Sequence, residues 1–284
     1  MADLSWHVVR RYDIKAPMLN ALIYDDYVHN KGALIRRMQQ WPQTVDWRMV
    51  TSGDIRNGVL KRTCPDLLIM PGGLDLYYCE KLNGECNEKI REYVHEGGGY
   101  LGICAGAYYG CNSLNWKERT PEEISGRREL SFIDATATGP IDDFPDLPEE
   151  HYWPRSWVVS ITRPGHDPHY IHYWGGPQFK GLEEHDNLTV IARFTDLPGT
   201  PPAIVSVPYG RGQVVLSSVH FEDEADDLRA RRYSLNRYDF TIPDCAIARM
   251  EKDESALRQL QMDILNMFDK HSRETPMNGP DEFA

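Results

Sequence analysis

The regular alternation of short strand-like segments with helical stretches constrains the fold more than any other feature of this chain. The strand-like segments span residues 20–24, 45–50, 66–70 and 100–103, and the helical stretches between them span 31–40, 55–62 and 87–96. This alternation predicts an α/β fold with a mostly parallel sheet and helices on both faces. Ligands of such sheets bind at the carboxyl ends of the strands, where the turns after Tyr24, Met70 and Ile103 would meet.

The second half of the chain interrupts this rhythm. Residues 112–185 are rich in turn signals and contain short strand candidates such as 157–161, which predicts an antiparallel insertion in the same domain. Strand-like segments return at 188–194, 203–207 and 213–218, and an apolar stripe predicts one long helix from Pro243 onward. The predicted organisation is an amino-terminal extension (1–17), a single domain (18–270) and a flexible tail (271–284).

Composition excludes several broad classes of protein. The chain has 284 residues and a formal net charge of −12, so its overall field repels the phosphates of nucleic acids. Neither a secretory signal nor an apolar run of about 18 residues, the length that suggests a membrane span, is present. Six cysteines without a C-x-x-C pair indicate free thiols rather than a disulfide framework or a zinc site. These features predict a cytoplasmic protein that binds neither nucleic acid nor membrane.

One cysteine lies in a position suited to nucleophilic chemistry. The segment from Gly102 to Gly106, Gly-Ile-Cys-Ala-Gly, connects a predicted strand to a predicted helix and has the form of a nucleophile elbow. Small neighbours permit a tight turn, and the helix that follows Cys104 would direct its free N–H groups at the sulfur and favour the thiolate. The N–H of Ala105 would lie where an oxyanion forms. The alternative is that Cys104 is simply a small buried residue in a glycine-rich turn.

Two further motifs end predicted core strands. Gly72 and Gly73 follow Pro71 at the end of one strand, where glycine lets the backbone approach a ligand and aim an N–H at it. His220 and Glu222 follow the strand 213–218, and residues two apart in an extended segment point to the same side. The carboxylate of Glu222 could therefore orient the imidazole of His220, which could accept the proton of a cysteine nucleophile.

Taken in order, these motifs resemble the class I glutamine amidotransferase-like superfamily, over roughly residues 20–222. The segments 100–109, 129–140, 173–179 and 202–220 are similar to the amino-terminal domain family of biotin–protein ligases, in particular its stand-alone bacterial members. The resemblance implies a flavodoxin-like sheet and a Cys-His-Glu triad. It assigns Cys104 as nucleophile, His220 as base and Glu222 as the group that orients it, with the N–H groups of Gly73 and Ala105 as oxyanion donors.

The chain departs from glutaminases of that superfamily at two positions. It has Tyr108 four residues after the cysteine, where they usually carry Gln, and Phe221 between His220 and Glu222, where they usually carry Pro. Tyr108 would line the pocket with a large ring. Three hypotheses remain open: a cysteine-dependent hydrolase or acyl-transferase of a small amide or acyl substrate, a non-catalytic ligand-binding or regulatory module, and an accessory protein of biotin metabolism. The ligase's own catalytic domain has no counterpart in this chain.

Two other clusters are interpreted without a functional role. His166, His169 and His172 fall at spacings of three, but the prolines and glycine among them disfavour a helix that would align them, so no metal site is predicted. Arg229, Arg231 and Arg232 are predicted to form a solvated face. No cofactor is predicted, and the expected partner is a small-molecule substrate or ligand; self-association stays open.

Overall fold

The computed structural model describes residues 19–40, 45–145, 156–183, 185–234 and 242–269. Within them, ten strands form one sheet in the order β14-β9-β8-β11-β12-β13-β4-β3-β1-β2. Its strands are β1 (Leu19–Tyr24), β2 (Val45–Val50), β3 (Leu67–Met70), β4 (Gly99–Ile103), β8 (Ser156–Thr162), β9 (His169–Trp174), β11 (Thr189–Phe194), β12 (Pro202–Tyr209), β13 (Gly212–Ser217) and β14 (Val219–His220). The predicted extension 1–17 and tail 271–284 lie outside the described residues.

The half of the sheet formed by β13, β4, β3, β1 and β2 is parallel throughout. Every residue of β3 and β4 is buried, because helices cover both faces of these central strands. The edge strand β2 instead alternates between partly buried and exposed positions. The four strands predicted from the first hundred residues are therefore present, with ends that differ by at most one residue.

The other half, from β12 to β14, is antiparallel. The predicted α/β class is confirmed, and the sheet as a whole is mixed. The stretch 112–185 divides between two sheets: β8 and β9 extend the large sheet, whereas β5 (Cys111–Trp116), β6 (Ile124–Arg127), β7 (Ile133–Gly139) and β10 (Gln178–Lys180) form a second sheet. The pairings β5–β6, β7–β10 and β8–β9 are antiparallel, as predicted for this insertion, whereas β5 and β7 pair in parallel.

Several predicted helices are present with different ends, but the helices Asp75–Leu82 and Ala225–Ser234 have no counterpart in the prediction. The helices of the described residues are α1 (Lys31–Gln40), α2 (Ser52–Arg56), α3 (Val59–Thr63), α4 (Asp75–Leu82), α5 (Glu85–His95), α6 (Ala105–Gly110), α7 (Ala225–Ser234), α8 (Asp244–Lys252) and α9 (Glu254–Asn266). The predicted helix 55–62 is two short helices, because Gly58 adopts a left-handed conformation between them (φ 80°). The predicted helix 87–96 begins at Glu85. The predicted long carboxy-terminal helix is interrupted at Asp253.

Alternating side chains of the parallel strands point to two separate cores. On one face, Leu101 and Ile103 of β4 pack in a cluster that includes apolar residues of α1, α8 and α9. On the other face, Tyr100 packs with residues of α2 to α6 and of the second sheet. This arrangement confirms the prediction of helices on both faces. None of the helices in the described ranges combines the length and apolarity needed to cross a bilayer.

Candidate active site

Cys104 lies in a tight turn between β4 and α6. Its backbone has φ 51° and ψ −104°, a region that non-glycine residues rarely adopt. The turn is held by hydrogen bonds from the N–H of Cys104 to the carbonyl of Ser217 (2.9 Å) and from the N–H of Tyr108 to the carbonyl of Cys104 (3.0 Å). A Cβ at Gly106 would overlap the carbonyl oxygen of Met70, so glycine is required there for the turn to pack against β3.

The imidazole of His220 lies next to this turn and is paired with a carboxylate. Its Nδ1 lies 2.7 Å from Oε1 of Glu222, and both side chains are buried. A Cβ at Gly72 would lie 2.9 Å from Cε1 of His220 and 3.7 Å from both Nε2 of His220 and Cβ of Cys104. Cys104 and His220 therefore meet at Gly72, where any larger residue would displace the ring.

The surroundings of His220 favour its protonated form. Burial alone would lower the pKa of His220, but the charge of Glu222, the hydrogen bond with Glu222 and the nearby sulfur of Cys104 together raise this pKa well above its usual value. The Nε2 atom of His220 is buried and has no hydrogen-bond partner among the described residues. A proton on this nitrogen is therefore placed to interact with a negatively charged sulfur or with a bound ligand.

Cys104 and His220 line a cavity of about 430 Å3. Its wall is largely apolar and aromatic, with contributions from Leu74, Leu76, Leu114, Trp116, Ile124, Trp174, Leu228 and Ile242. Cys104 is 8% exposed, and its Sγ lies 3.2 Å from the carbonyl oxygen of Trp174, to which the thiol can donate. The cavity opens where β3 and β4 end, at the sheet edge predicted from the sequence.

The predicted oxyanion and substrate residues also lie around this cavity. Gly72, Gly73 and Ala105 form part of its wall, as does Tyr108. The Tyr108 hydroxyl donates to the carbonyl oxygen of Gly175 (3.1 Å), and its ring packs edge-on against Trp116. Tyr108 thus joins α6 to the segment that follows β9.

A second buried imidazole–carboxylate pair, which sequence reasoning missed, lies beside the first. His172 is directly opposite His220 in the pairing of β9 with β14, and the two ring centroids are 5.4 Å apart. Nδ1 of His172 lies 2.6 Å from Oδ2 of Asp223. Sequence reasoning considered His172 only as a metal ligand, because nothing local in the sequence indicates that β9 pairs with β14.

Asn30 and Arg231 connect the two pairs. The side-chain amide nitrogen of Asn30 donates to Oε1 of Glu222 and to Oδ1 of Asp223, each at 2.9 Å. Arg231 forms an ion pair with Asp223, donates to Oδ1 of Asn30 (2.5 Å) and lies over the ring of Trp174. The predicted solvated face is therefore wrong for Arg231, whose guanidinium is drawn into the site by the buried Asp223; Arg229 does pair with surface acids, Asp226 and Glu251.

Groups that could hold a metal coincide with these same pairs. His220, Glu222 and Asp223 place potential ligand atoms within 4.8 Å of one another. Each of them is hydrogen-bonded to another protein group, whereas Nε2 of His220 and Oε2 of Glu222 have no hydrogen-bond partner among the described residues. The three histidines that were considered as metal ligands in the sequence lie apart from one another. His172 lies in the cavity wall, His169 is buried elsewhere on β9, and His166 is exposed, with its Nδ1 3.0 Å from the carbonyl oxygen of Pro164.

Comparison with solved structures places the fold among the class I glutamine amidotransferase-like proteins. PurLQS from Thermotoga maritima superposes with a TM-score of 0.54 over 87% of this chain and 98% of that chain, at 13% identity. A glutamine amidotransferase from the same organism gives a TM-score of 0.53 over 88% and 98%, at 14% identity. At this identity the likeness shows the fold.

The sequence defines the family within this class. The model of the family described as "Biotin-protein ligase, N terminal" matches residues 43–278, and the chain belongs to this family. A biotin–protein ligase of Schizosaccharomyces pombe is 35% identical over 220 residues, which are 73% of this chain and 34% of that protein. An uncharacterized protein of Chlamydia muridarum is 38% identical over 161 residues, 55% of this chain and 60% of that one. The chain thus spans less than two thirds of the length of either relative.

Proposed function

We propose that the protein is a cysteine-dependent hydrolase or acyl-transferase that acts on a small amide or acyl substrate in the cavity. The observation that carries this proposal is the meeting of Cys104, in its strained turn, with the His220–Glu222 pair at the wall of one cavity. A nucleophile beside a base that is itself oriented by a carboxylate is the arrangement that covalent acyl transfer requires.

In the proposed reaction the Cys104 thiolate attacks the carbonyl carbon of a bound amide, and the oxyanion accepts hydrogen bonds from the N–H groups of Gly73 and Ala105. The imidazolium of His220 gives its proton to the leaving amine as the C–N bond breaks. Water then attacks the thioester while His220 accepts its proton, and that proton returns to the sulfur when the acid leaves. Glu222 keeps the ring oriented and stabilises its positive charge.

A non-catalytic ligand-binding module is the second candidate, and it is favoured by contacts around the sulfur. The thiol of Cys104 can donate to the carbonyl oxygen of Trp174, and a thiol is a poorer nucleophile than a thiolate. Tyr108 also fills space beside Cys104 with a large ring. In this alternative a small molecule binds in the cavity, and its binding regulates a partner protein. Because the chain belongs to the amino-terminal domain family of biotin–protein ligases, either candidate function would operate alongside biotin–protein ligation.

The reactivity of the thiol tests the activated-cysteine proposal. We expect iodoacetamide near pH 7 to alkylate Cys104 at least ten times faster than the exposed Cys64 and Cys245, because the neighbouring imidazolium stabilises the thiolate. Replacement of His220 by Ala should abolish this advantage. The measurement is the rate of modification of each cysteine-containing peptide by mass spectrometry.

His166→Ala is the matched control, since His166 is exposed and has no contact with Cys104, and it should leave the rate unchanged. Alkylation of Cys104 no faster than that of Cys64 at every pH below 8 would contradict the proposal. Turnover itself is tested by incubating the protein with a metabolite extract. A mass increase on Cys104 that corresponds to an acyl group supports the enzyme, whereas ligand retention without any such adduct supports the binding module.

A further inference from the structure

The second imidazole–carboxylate pair has a hydroxyl as its third member. Oγ of Ser156, the first residue of β8, lies 2.8 Å from Nε2 of His172, whose Nδ1 lies 2.6 Å from Oδ2 of Asp223. All three side chains are buried. Ser156, His172 and Asp223 thus form a continuous chain of two short hydrogen bonds, in the order hydroxyl, imidazole, carboxylate.

The protonation states in this chain follow from the environment. Burial raises the pKa of Asp223, but the charge of Arg231 and the hydrogen bond from His172 outweigh it and lower this pKa, so Asp223 is a carboxylate. Burial lowers the pKa of His172 to about 4 against the opposing effect of Asp223, so the ring is neutral at neutral pH. A carboxylate only accepts, so the ring proton is on Nδ1, and Nε2 accepts the proton of the Ser156 hydroxyl.

The hydroxyl is accessible from the same cavity as Cys104. Ser156 and His172 both form part of the cavity wall, together with the apolar side chains of Leu228 and Ile242. His172 has its own carboxylate, and its hydrogen bonds to Ser156 and Asp223 do not involve Cys104. The reactivity of Ser156 can therefore be measured in the absence of the Cys104 thiol, although Asn30 contacts the carboxylates of both pairs.

We propose that Ser156, His172 and Asp223 form a second nucleophilic site, which takes the acyl group of small apolar carboxylic esters onto Ser156. The apolar cavity wall suits such an acyl group. Esters suit this site better than amides, because an alkoxide leaves with less help from a proton donor than an amine does. The site stands independently of the function proposed for Cys104.

In the first step Oγ of Ser156 forms a bond to the ester carbonyl carbon, and its proton passes to Nε2 of His172. The ester C–O bond breaks, and the departing alkoxide takes that proton from His172. Water then attacks the acyl-serine while Nε2 accepts its proton, and the carboxylic acid leaves as the proton returns to Oγ of Ser156. Asp223 holds the ring in the required tautomer and stabilises its transient positive charge.

An alkyl fluorophosphonate probes this site directly, because attack by Oγ forms an O–P bond and releases fluoride. We expect the label on Ser156 in the wild-type protein and in Cys104→Ala, where a label on the sulfur is impossible. Ser156→Ala should carry no label at this position, and Asp223→Asn should slow labelling at least tenfold because the ring loses its preferred tautomer. Peptide mapping by mass spectrometry locates the label. The rate of p-nitrophenyl butyrate hydrolysis should rank the variants in the same order as the rate of labelling does.

Ser160→Ala is the matched control, since Ser160 is buried on the same strand but its hydroxyl accepts a hydrogen bond from Thr195 instead of contacting a histidine. In this variant Ser156 should be labelled as fast as in the wild type. If Asp223→Asn does not fold, Ser156→Cys in the Cys104→Ala background should present a thiol that iodoacetamide alkylates faster than Cys64. The proposal is overturned if folded wild-type protein carries no label on Ser156, or if labelling proceeds equally fast in folded Asp223→Asn. Both outcomes are independent of the reactivity of Cys104.

Discussion

The charge of Glu222 determines the protonation of His220. The carboxylate of Glu222 accepts from the ring of His220 and from the amide of Asn30, and it is almost entirely buried. After burial, which acts in the opposite direction, its charge is the largest influence on the pKa of His220. Replacing the carboxylate by an amide should therefore change the protonation of the ring while keeping an oxygen acceptor for it.

We predict that Glu222→Gln lowers the pKa of His220, as measured by titration of the ring nitrogens by NMR. The folded-state pKa of His220 lies above its unfolded value of about 6.5, so protonation stabilises the folded protein fully below that value, and this stabilisation is lost as the pH rises through the folded pKa. The deficit of Glu222→Gln in the free energy of unfolding should thus be larger at pH 6 than at pH 9. An unchanged pKa would contradict this account, and the exposed Glu118→Gln is the control.

The sequence predicts the site residues that belong to short local motifs, but not those that are brought together only by the order of the strands in the sheet. Cys104 lies in a distinctive five-residue motif, and Glu222 is only two residues from His220. Asn30 and Asp223, in contrast, are 193 positions apart and meet only because α1 and the segment after β14 come together. The order of strands in the antiparallel half of the sheet depends on non-local contacts that no local motif encodes.

A buried cation joins the antiparallel half of the sheet to α9. Arg163 directly follows β8, its side chain is nearly inaccessible, and it pairs with Asp263 of α9 at 2.6 Å. Two further nitrogens of this guanidinium have no hydrogen-bond partner among the described residues. Loss of Asp263 would leave a buried charge without its counter-ion, which is more costly than loss of a surface pair.

We predict that Asp263→Ala lowers the free energy of unfolding by about 2 kcal/mol, because Arg163 would lose its buried partner although Asp263 itself is partly solvated. Glu85→Ala, which breaks the exposed i,i+4 pair with Lys89, is the comparison and should have a clearly smaller effect, because solvent screens a surface pair. Urea denaturation measures both. Equal effects of the two substitutions would show that the Arg163 pair does not fasten α9 to the sheet.

Local patterns predicted the parallel strands within one residue but not every interruption of the helices. Central strands such as β4 are short apolar runs bounded by turn residues, which are recognisable without tertiary information. The interruption between α8 and α9 has a tertiary cause: the side chain of Asp253 accepts from the backbone N–H of Tyr170 on β9 (3.0 Å). The apolar stripe continues through this point, so the sequence predicted one helix.

The large sheet separates two apolar cores, and its central strands contribute side chains to both. Leu101 of β4 is fully buried between β13 and β3, in the core that α8 and α9 cover, while its neighbour Tyr100 belongs to the opposite core. A defect in β4 should therefore weaken both faces at once.

We predict that Leu101→Ala lowers the free energy of unfolding by about 2–5 kcal/mol, as expected when a large core side chain leaves a cavity. Within each protein, far-UV circular dichroism and tryptophan fluorescence should report coincident transitions, with the midpoint of the variant below that of the wild type. Leu76→Ala, at a position that is 47% exposed, should change stability by no more than about 0.5 kcal/mol. Two separate transitions in the variant would indicate that the cores unfold independently.

The amide of Asn30 has one consequence for how such a protein can diversify. Its two N–H groups each serve a different carboxylate, Glu222 and Asp223, so no replacement at position 30 can be adapted to one pair without depriving the other. An aspartate there would add a third negative charge, and a leucine would leave both acids short of a donor. Substitutions that specialise the protein for chemistry at Cys104 or at Ser156 must therefore keep Asn30, or change both imidazole–carboxylate pairs together.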